Sequence, residues 1–255
     1  MNTNPKWTHK FEIKPDSWVF VPSDFSVQEG KNIKEQIEKK WQPSAAYYHL
    51  KAGGHVAALK SHMKNKYFLR LDIENFFGSI NRSRITRTLK PYFSYETARE
   101  IAVNSTVVIP NSFPKKYMLP FGFIQSPILA SICLEKSSLG KFSNSLLGQS
   151  GVTVTIYMDD IIISTNDNEL LMEISEKIKT VSNKSGFGIN PRKQEGPSEQ
   201  ITAFNIKLSH KNLEISDDRM IEFLFAYKNS ESYYQKKGIA SYVGTVNPLQ
   251  AEKFD

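Results

Sequence analysis

The chain has a single cysteine, Cys133, among its 255 residues. That excludes an internal disulfide and any cysteine-rich zinc site. No apolar run approaches the length that crosses a bilayer. The first residues, MNTNPKWTHK, lack the apolar stretch of a secretory signal. These absences lead us to expect a cytoplasmic protein with no membrane partner. Internal repeats and low-complexity tracts are also missing. What is present is a globular composition, 40% hydrophobic and 23% charged. A net charge of +7 suggests a polyanionic partner, either nucleic acid or an anionic surface.

Periodicity gives a coarse map. Residues 1–25 read as an extended segment packed on the body. Residues 26–41 read as a helix capped by Ser26, with Ile33, Ile37 and Trp41 on one face. YYHLKAGGHVAAL (47–59) reads as two strands joined through Gly53-Gly54. KYFLRLDI (66–73) reads as a strand, and 83–104 as helical with a turn near Pro91. Pro127 to about Leu147 reads as a helix with Pro127 in its first turn. GVTVTIYMDDIIIST (151–165) reads as a β-hairpin turning at Met158-Asp159-Asp160. Residues 166–186 carry Leu170, Ile174, Ile178 and Val181 at helical spacing and end at Gly186. Short strands are expected at 201–208 and 212–215, and a helix at 217–236. This order predicts an α+β fold, an antiparallel sheet with helices on one face.

Two adjacent acids, Asp159 and Asp160, interrupt β-branched runs, and Asp72 ends another apolar strand. If those strands pair side by side, three carboxylates converge at one sheet edge and raise one another's pKa. A divalent cation resolves that conflict. All-oxygen ligands favour Mg2+, which takes its remaining ligands from water and substrate phosphates. Two such ions suit nucleotidyl transfer, one at the attacking 3′-oxygen and one at the leaving pyrophosphate. The bland alternative is a solvated turn at Asp159-Asp160 with Asp72 as a helix cap.

Five segments in order resemble the reverse transcriptase family. They are LRLDIENFFGSI (69–80), LPFGFIQSPILASI (119–132), YMDD (157–160), GFGINPRKQE (186–195) and ITAFNIKLS (201–209). The resemblance implies right-hand polymerase fingers and palm with a short or missing thumb. It places an N-terminal segment and fingers at 1–65, a palm with interleaved fingers helices at 66–210, and the start of a thumb at 211–255. The short stretch after residue 238 leads us to expect no RNase H, endonuclease, zinc finger or intron-type DNA-binding module. Asp72 and Asp159 would bind two Mg2+ ions (Mn2+ can substitute), with Asp160 assisting and the Ile73 carbonyl completing one shell. Lys193 would protonate or neutralise the leaving pyrophosphate. Phe77 would sit under the sugar and disfavour a 2′-hydroxyl, leaving Phe76 to the core. Phe121, Gly122 and Gln125 would line the nucleotide, with Lys51, Lys60 and Arg70 as candidate triphosphate contacts. His55 is expected to be a packing or surface residue.

Relatives often carry Pro-Gln-Gly where this chain has Pro120-Phe121-Gly122, and a phenylalanine cannot hydrogen-bond a nucleotide. Asn205 stands where relatives often have glycine in the primer-gripping hairpin. PFGFIQSP is more similar to the phage-defence lineages (abortive-infection and "unknown group") than to retrons or group II intron proteins. The implied activity is RNA-directed DNA synthesis from deoxynucleoside triphosphates, copying an RNA template, such as a noncoding RNA, into DNA. A protein subunit or a second copy would assist a chain with little thumb. Template-independent or protein-primed DNA synthesis, an inert RNA-binding palm and an RNA-templated RNA polymerase remain as alternatives.

Overall fold

The computed structural model describes residues 5–14 and 17–254. Residues 1–4 of the expected extended N-terminal segment, Pro15, Asp16 and Asp255 lie outside the described residues. Along the chain come β1 (Trp7–Lys14), β2 (Ser17–Pro22), α1 (Asp24–Glu38), α2 (Gly54–His62), β3 (Tyr67–Asp72), α3 (Arg82–Leu89) and α4 (Tyr95–Asn104). Then follow β4 (Val107–Val108), β5 (Tyr117–Met118), α5 (Ser126–Glu135), α6 (Ser138–Leu146), β6 (Thr153–Tyr157), β7 (Asp160–Thr165) and α7 (Asn168–Ser185). The last part holds β8 (Glu195–Ser198), β9 (Gln200–Ala203), β10 (Ile206–Ser209), β11 (Asn212–Ile215), α8 (Asp217–Asn229), α9 (Tyr233–Val246) and α10 (Pro248–Ala251). The strands pair antiparallel and the class is α+β. No helix among the described residues is long and apolar enough to cross a membrane.

Two compact units interleave in sequence. One holds Met1–Ala45, Ile73–Asn144 and Thr180–Gly188. In it β1 pairs with β2, and β4 with β5. Helix α5 runs through its interior, with Ile128 through Leu134 all buried. Between Ile128 and Leu134 its one hydroxyl, on Ser131, donates to the Pro127 carbonyl, so this stretch is buried all round and shows no exposed stripe. The other unit holds Ala46–Asp72, Ser145–Lys179 and Ile189–Asp255. It carries a four-stranded sheet in the order β6-β7-β3-β8 and a three-stranded sheet in the order β11-β10-β9. Val56, Leu59 and Phe68 share a core there with Met220, Val243, Val246 and Phe254.

This division crosses the boundaries expected at 65 and 210. Residues 46–65 join the acid-bearing sheet because the Ile156 N–H donates to the Ala46 carbonyl at 2.8 Å and Tyr47 bridges Ile156. Residues 211–255 join the same unit through the shared apolar core.

Several local expectations change. The stretch 47–59 is a 3-10 turn at Tyr48–Leu50 followed by α2, not a hairpin. Gly53 (φ +85°) serves as the N-cap of α2 in the left-handed conformation, a geometry that helix starts and hairpin turns both draw from glycine. Ser23, not Ser26, caps α1, accepting from the Ser26 N–H at 3.3 Å. The helix expected from Pro127 to Leu147 breaks at Lys136-Ser137, where the Ser137 hydroxyl accepts from the Gly140 N–H. The strand 201–208 splits because Phe204 (φ +56°) and Asn205 (φ +60°) form a two-residue turn. The helix at 217–236 divides at Ser230–Ser232, with Ser232 capping α9.

Candidate active site

The acids come together in the second unit. Strand β3 pairs residue for residue with β7, and the last pair of that register is Asp72 opposite Asp160. In the β6–β7 hairpin Tyr157 faces Asp160, which leaves Met158 and Asp159 as the loop. Met158 has φ +57°, in the left-handed region that tight hairpin loops require.

The charges around these acids are partly compensated. Lys193 Nζ donates to Asp72 Oδ2 at 2.7 Å, and that bond raises the lysine pKa. Arg70 Nε donates to Asp160 Oδ1 at 2.8 Å. Arg70 Nη1 also donates to Glu195 Oε1 at 3.1 Å and to the Thr202 carbonyl at 2.7 Å. Burial works against the Arg70 charge, but Asp160 and Glu195 outweigh it and hold its pKa up. Asp160 is raised by burial despite Arg70. Asp159 makes no ion pair among the described residues. Burial first, then the neighbouring Asp160 and Asp72 charges, pushes it up to about 6.

Two histidines hold the hairpin. His49 Nδ1 accepts from the Met158 N–H at 3.1 Å. Its ring is packed between Tyr47 and Tyr157, and burial lowers its pKa to about 4, so it is a neutral acceptor at neutral pH. His62 is fully buried between the Ser164 hydroxyl (2.7 Å) and the Thr155 hydroxyl (2.8 Å), on β7 and β6 respectively. His55 packs against Tyr157, Phe204 and Tyr242 and hydrogen-bonds the Tyr242 hydroxyl at 3.0 Å. The sequence reading missed His49 and His62, whose partners lie far along the chain. It assigned Arg70 to a triphosphate, whereas the guanidinium is engaged by two carboxylates and a carbonyl of its own unit. Lys51 lies over the Tyr48 ring at 4.8 Å, and Lys60 is exposed on α2.

The remaining candidates belong to the first unit. Ile73 and Phe76 are buried, and Phe77 is half-buried with its ring at 5.8 Å from that of Phe121 in an edge-on contact. Phe121 is 55% exposed. The loop is pinned to β2, because the Phe20 N–H donates to the Phe121 carbonyl at 3.2 Å. Gly122 (φ +110°) allows this, since a Cβ there would meet the Phe20 carbonyl oxygen at 2.6 Å. Gln125 departs from its expected nucleotide contact. It is 1% exposed, its Nε2 donates to Ser105 at 3.3 Å, and its Oε1 packs where Gly30 has no side chain.

Among the described residues no group of three His, Cys, Asp or Glu is disposed to hold a metal ion. The donor chemistry nevertheless fits a hard divalent cation at Asp72 and Asp159. Both supply carboxylate oxygens, and a cation would stabilise the Asp159 charge, which burial and the Asp160 and Asp72 charges disfavour. Asp160, bound by Arg70, fits as a neighbouring charge rather than a ligand.

The fold is shared with telomerase and with a retroviral reverse transcriptase. Telomerase from Candida albicans, solved with a TWJ fragment of telomeric RNA, matches 90% of this chain and 48% of its own length, with a TM-score of 0.57 at 10% identity. Apo telomerase from Candida tropicalis matches 89% and 49%, with a TM-score of 0.54 at 12% identity. The foamy viral protease-reverse transcriptase bound to an RNA/DNA hybrid matches 91% and 27%, with a TM-score of 0.50 at 15% identity.

Residues 19–236 match the reverse transcriptase (RNA-dependent DNA polymerase) family, and the chain belongs to it. The retron Ec73 reverse transcriptase of Escherichia coli is 29% identical over 146 residues, 54% of this chain and 45% of that protein. The chain thus spans less than half the length of that curated relative. Reverse transcriptases generally use divalent metal ions.

Proposed function

We propose that the protein is an RNA-directed DNA polymerase that adds deoxynucleotides to a primer 3′-end along an RNA template. The observation that carries this is the register that sets Asp72 opposite Asp160, with Asp159 in the adjoining turn and Lys193 on Asp72. Asp72 and Asp159 would hold Mg2+, which when bound activates the primer hydroxyl and stabilises charge on the phosphates. Lys193, 48% exposed at its side chain, can leave Asp72 and neutralise the departing pyrophosphate. Arg70 fixes Asp160 and, through Thr202, ties the β3–β7 ladder to β9. Phe77 checks the sugar. Primer extension on an RNA template tests this: Asp159→Asn should abolish incorporation while the fold persists, and full activity in that variant would sink the mechanism.

A second reading keeps the chemistry and drops the template. It is favoured by Phe121, an exposed ring where relatives often place a hydrogen-bonding glutamine. Sequencing the product separates the two, since a copy of the supplied RNA supports templated synthesis and an unencoded sequence supports the other. Resemblance of PFGFIQSP to the phage-defence lineages supports a cytoplasmic antiphage role with a noncoding RNA as template. A partner subunit or a second copy would supply further grip on the duplex.

A further inference from the structure

Helix α8, in the second unit, is apolar on two faces. Met220 is buried, and Phe223, Leu224 and Tyr227 pack against the core that holds Val243, Val246 and Phe254. A helix lying on a core needs only one such stripe. The second stripe is Ile221 and Phe225, which are 65% and 69% exposed. They stand one helical turn apart on the same face. Asp218 lies three residues before Ile221 and Lys228 three residues after Phe225, so both extend that face, and both are exposed. Asp217 pairs with Lys207 and Arg219 with Glu222, whereas neither Asp218 nor Lys228 forms an ion pair among the described residues.

The order along this stripe is acid, apolar, apolar, base. Turned end over end it reads base, apolar, apolar, acid, so the stripe is complementary to itself. Two copies of α8 laid antiparallel set Ile221 on the second copy's Phe225, and Asp218 against the second copy's Lys228, each contact recurring through the two-fold axis. Ten residues of helix rise about 15 Å, so the two ion pairs frame the apolar centre. A parallel pair would instead set Asp218 against Asp218 and Lys228 against Lys228. The helix carries three acidic side chains to two basic ones on a chain of net charge +7, which makes it a poor seat for a phosphate backbone.

We propose that this face of α8 is a self-association surface, on which a second copy of the chain docks by antiparallel pairing of the two helices. The pairing needs neither nucleic acid nor catalysis, so it stands or falls separately from the polymerase reading, and it gives a surface to the second copy invoked there. A stripe of this size buries well under the roughly 800 Å² per partner of a standard interface, so the association is weak, with Kd on the order of 10–100 µM.

The test is sedimentation velocity of nuclease-treated protein in EDTA, over a range of about 1–300 µM that brackets this affinity. Wild type should pass from monomer to dimer across it. Phe225→Ser changes an exposed side chain, so the fold should persist, which circular dichroism checks, and association should weaken at least about tenfold. Asp218→Lys and Lys228→Asp each bring like charges together at both ends of a homodimer, and each alone should weaken association about tenfold. Mixed one to one, these two variants restore opposite charges at both ends, and the wild-type affinity should return, a recovery that a misfolded variant cannot give. A wild type that stays monomeric throughout the range, an association that Phe225→Ser leaves intact, or a mixture that fails to recover would each overturn the proposal. Loss of RNA/DNA duplex binding by Phe225→Ser with unchanged sedimentation, read by fluorescence anisotropy, would assign the face to nucleic acid instead.

Discussion

Arg70 Nε donates to Asp160 Oδ1 at 2.8 Å, and the same guanidinium reaches Glu195 and the Thr202 carbonyl. One side chain on β3 therefore balances the second acid of the YMDD turn and joins its own strand to three others, β7, β8 and β9. Removing it leaves two carboxylates and a carbonyl without their donor. Arg70→Met should cost about 2–4 kcal/mol in urea denaturation, most of it from the stranded charges. Asp160→Asn, which keeps an acceptor for Nε, should cost about 1 kcal/mol. Equal losses would mean that the ion pair with Asp160 alone carries the contribution of Arg70, and that its contacts with Glu195 and the Thr202 carbonyl add nothing.

Asp159 links activity to pH. Its folded pKa of about 6 stands above the ordinary 3.8, so the folded protein holds this proton more tightly than the unfolded chain. The associated stability is present below 3.8 and lost as pH rises through 6. At neutral pH the ionised carboxylate is destabilising by at most about 3 kcal/mol. Asp159→Asn should therefore raise the melting temperature in EDTA at pH 7.5 and leave it unchanged near pH 4, while abolishing incorporation. A lower melting temperature at pH 7.5 would show that the carboxylate makes a stabilising contact.

His49 serves as a positioning residue. Its Nδ1 takes the Met158 N–H in a loop whose left-handed residue has no ladder partner of its own. His49→Phe fills the same space without an acceptor, and an acid displaced by about an ångström can cost about 100-fold in rate. We expect kcat to fall by about that factor with KM for deoxynucleotide unchanged. His49→Asn places an oxygen near the Nδ1 position and should recover part of the loss. If phenylalanine and asparagine behave alike, the contact is packing alone.

The acids were legible because β-branched runs on either side of YMDD and before Asp72 force strands that end in charge. Pairing those strands in register is then the simplest way to build the sheet. His49 and Arg70 were not legible as supports. A turn N–H accepted by a residue more than a hundred positions away leaves no periodic trace, and a lone arginine in a strand reads as a surface charge until its three partners are placed. Gly53-Gly54 misled because positive φ serves both hairpin loops and helix starts. Gln125 misled because its neighbours Pro127 and Gly122 mark a nucleotide loop, while its own burial depends on the space left by Gly30.

Phe77 and Phe121 meet edge to face, with Phe76 buried beside Phe77. If Phe77 checks the sugar, shortening it removes the surface that excludes a 2′-hydroxyl, and steric discrimination of this size is worth about 10–200-fold. Phe77→Ala should lower the preference for deoxy- over ribonucleotides by at least about tenfold in single-nucleotide incorporation. Phe77 is only half-buried, so the loss of stability should stay near 2 kcal/mol, below the cost of emptying a full core position. Phe121→Gln restores a hydrogen-bonding group at the exposed loop position and should leave sugar choice alone while reducing untemplated addition. A Phe77→Ala enzyme that still rejects ribonucleotides as strongly as wild type would move the sugar check to Phe121, and the double variant would then be the one to lose it.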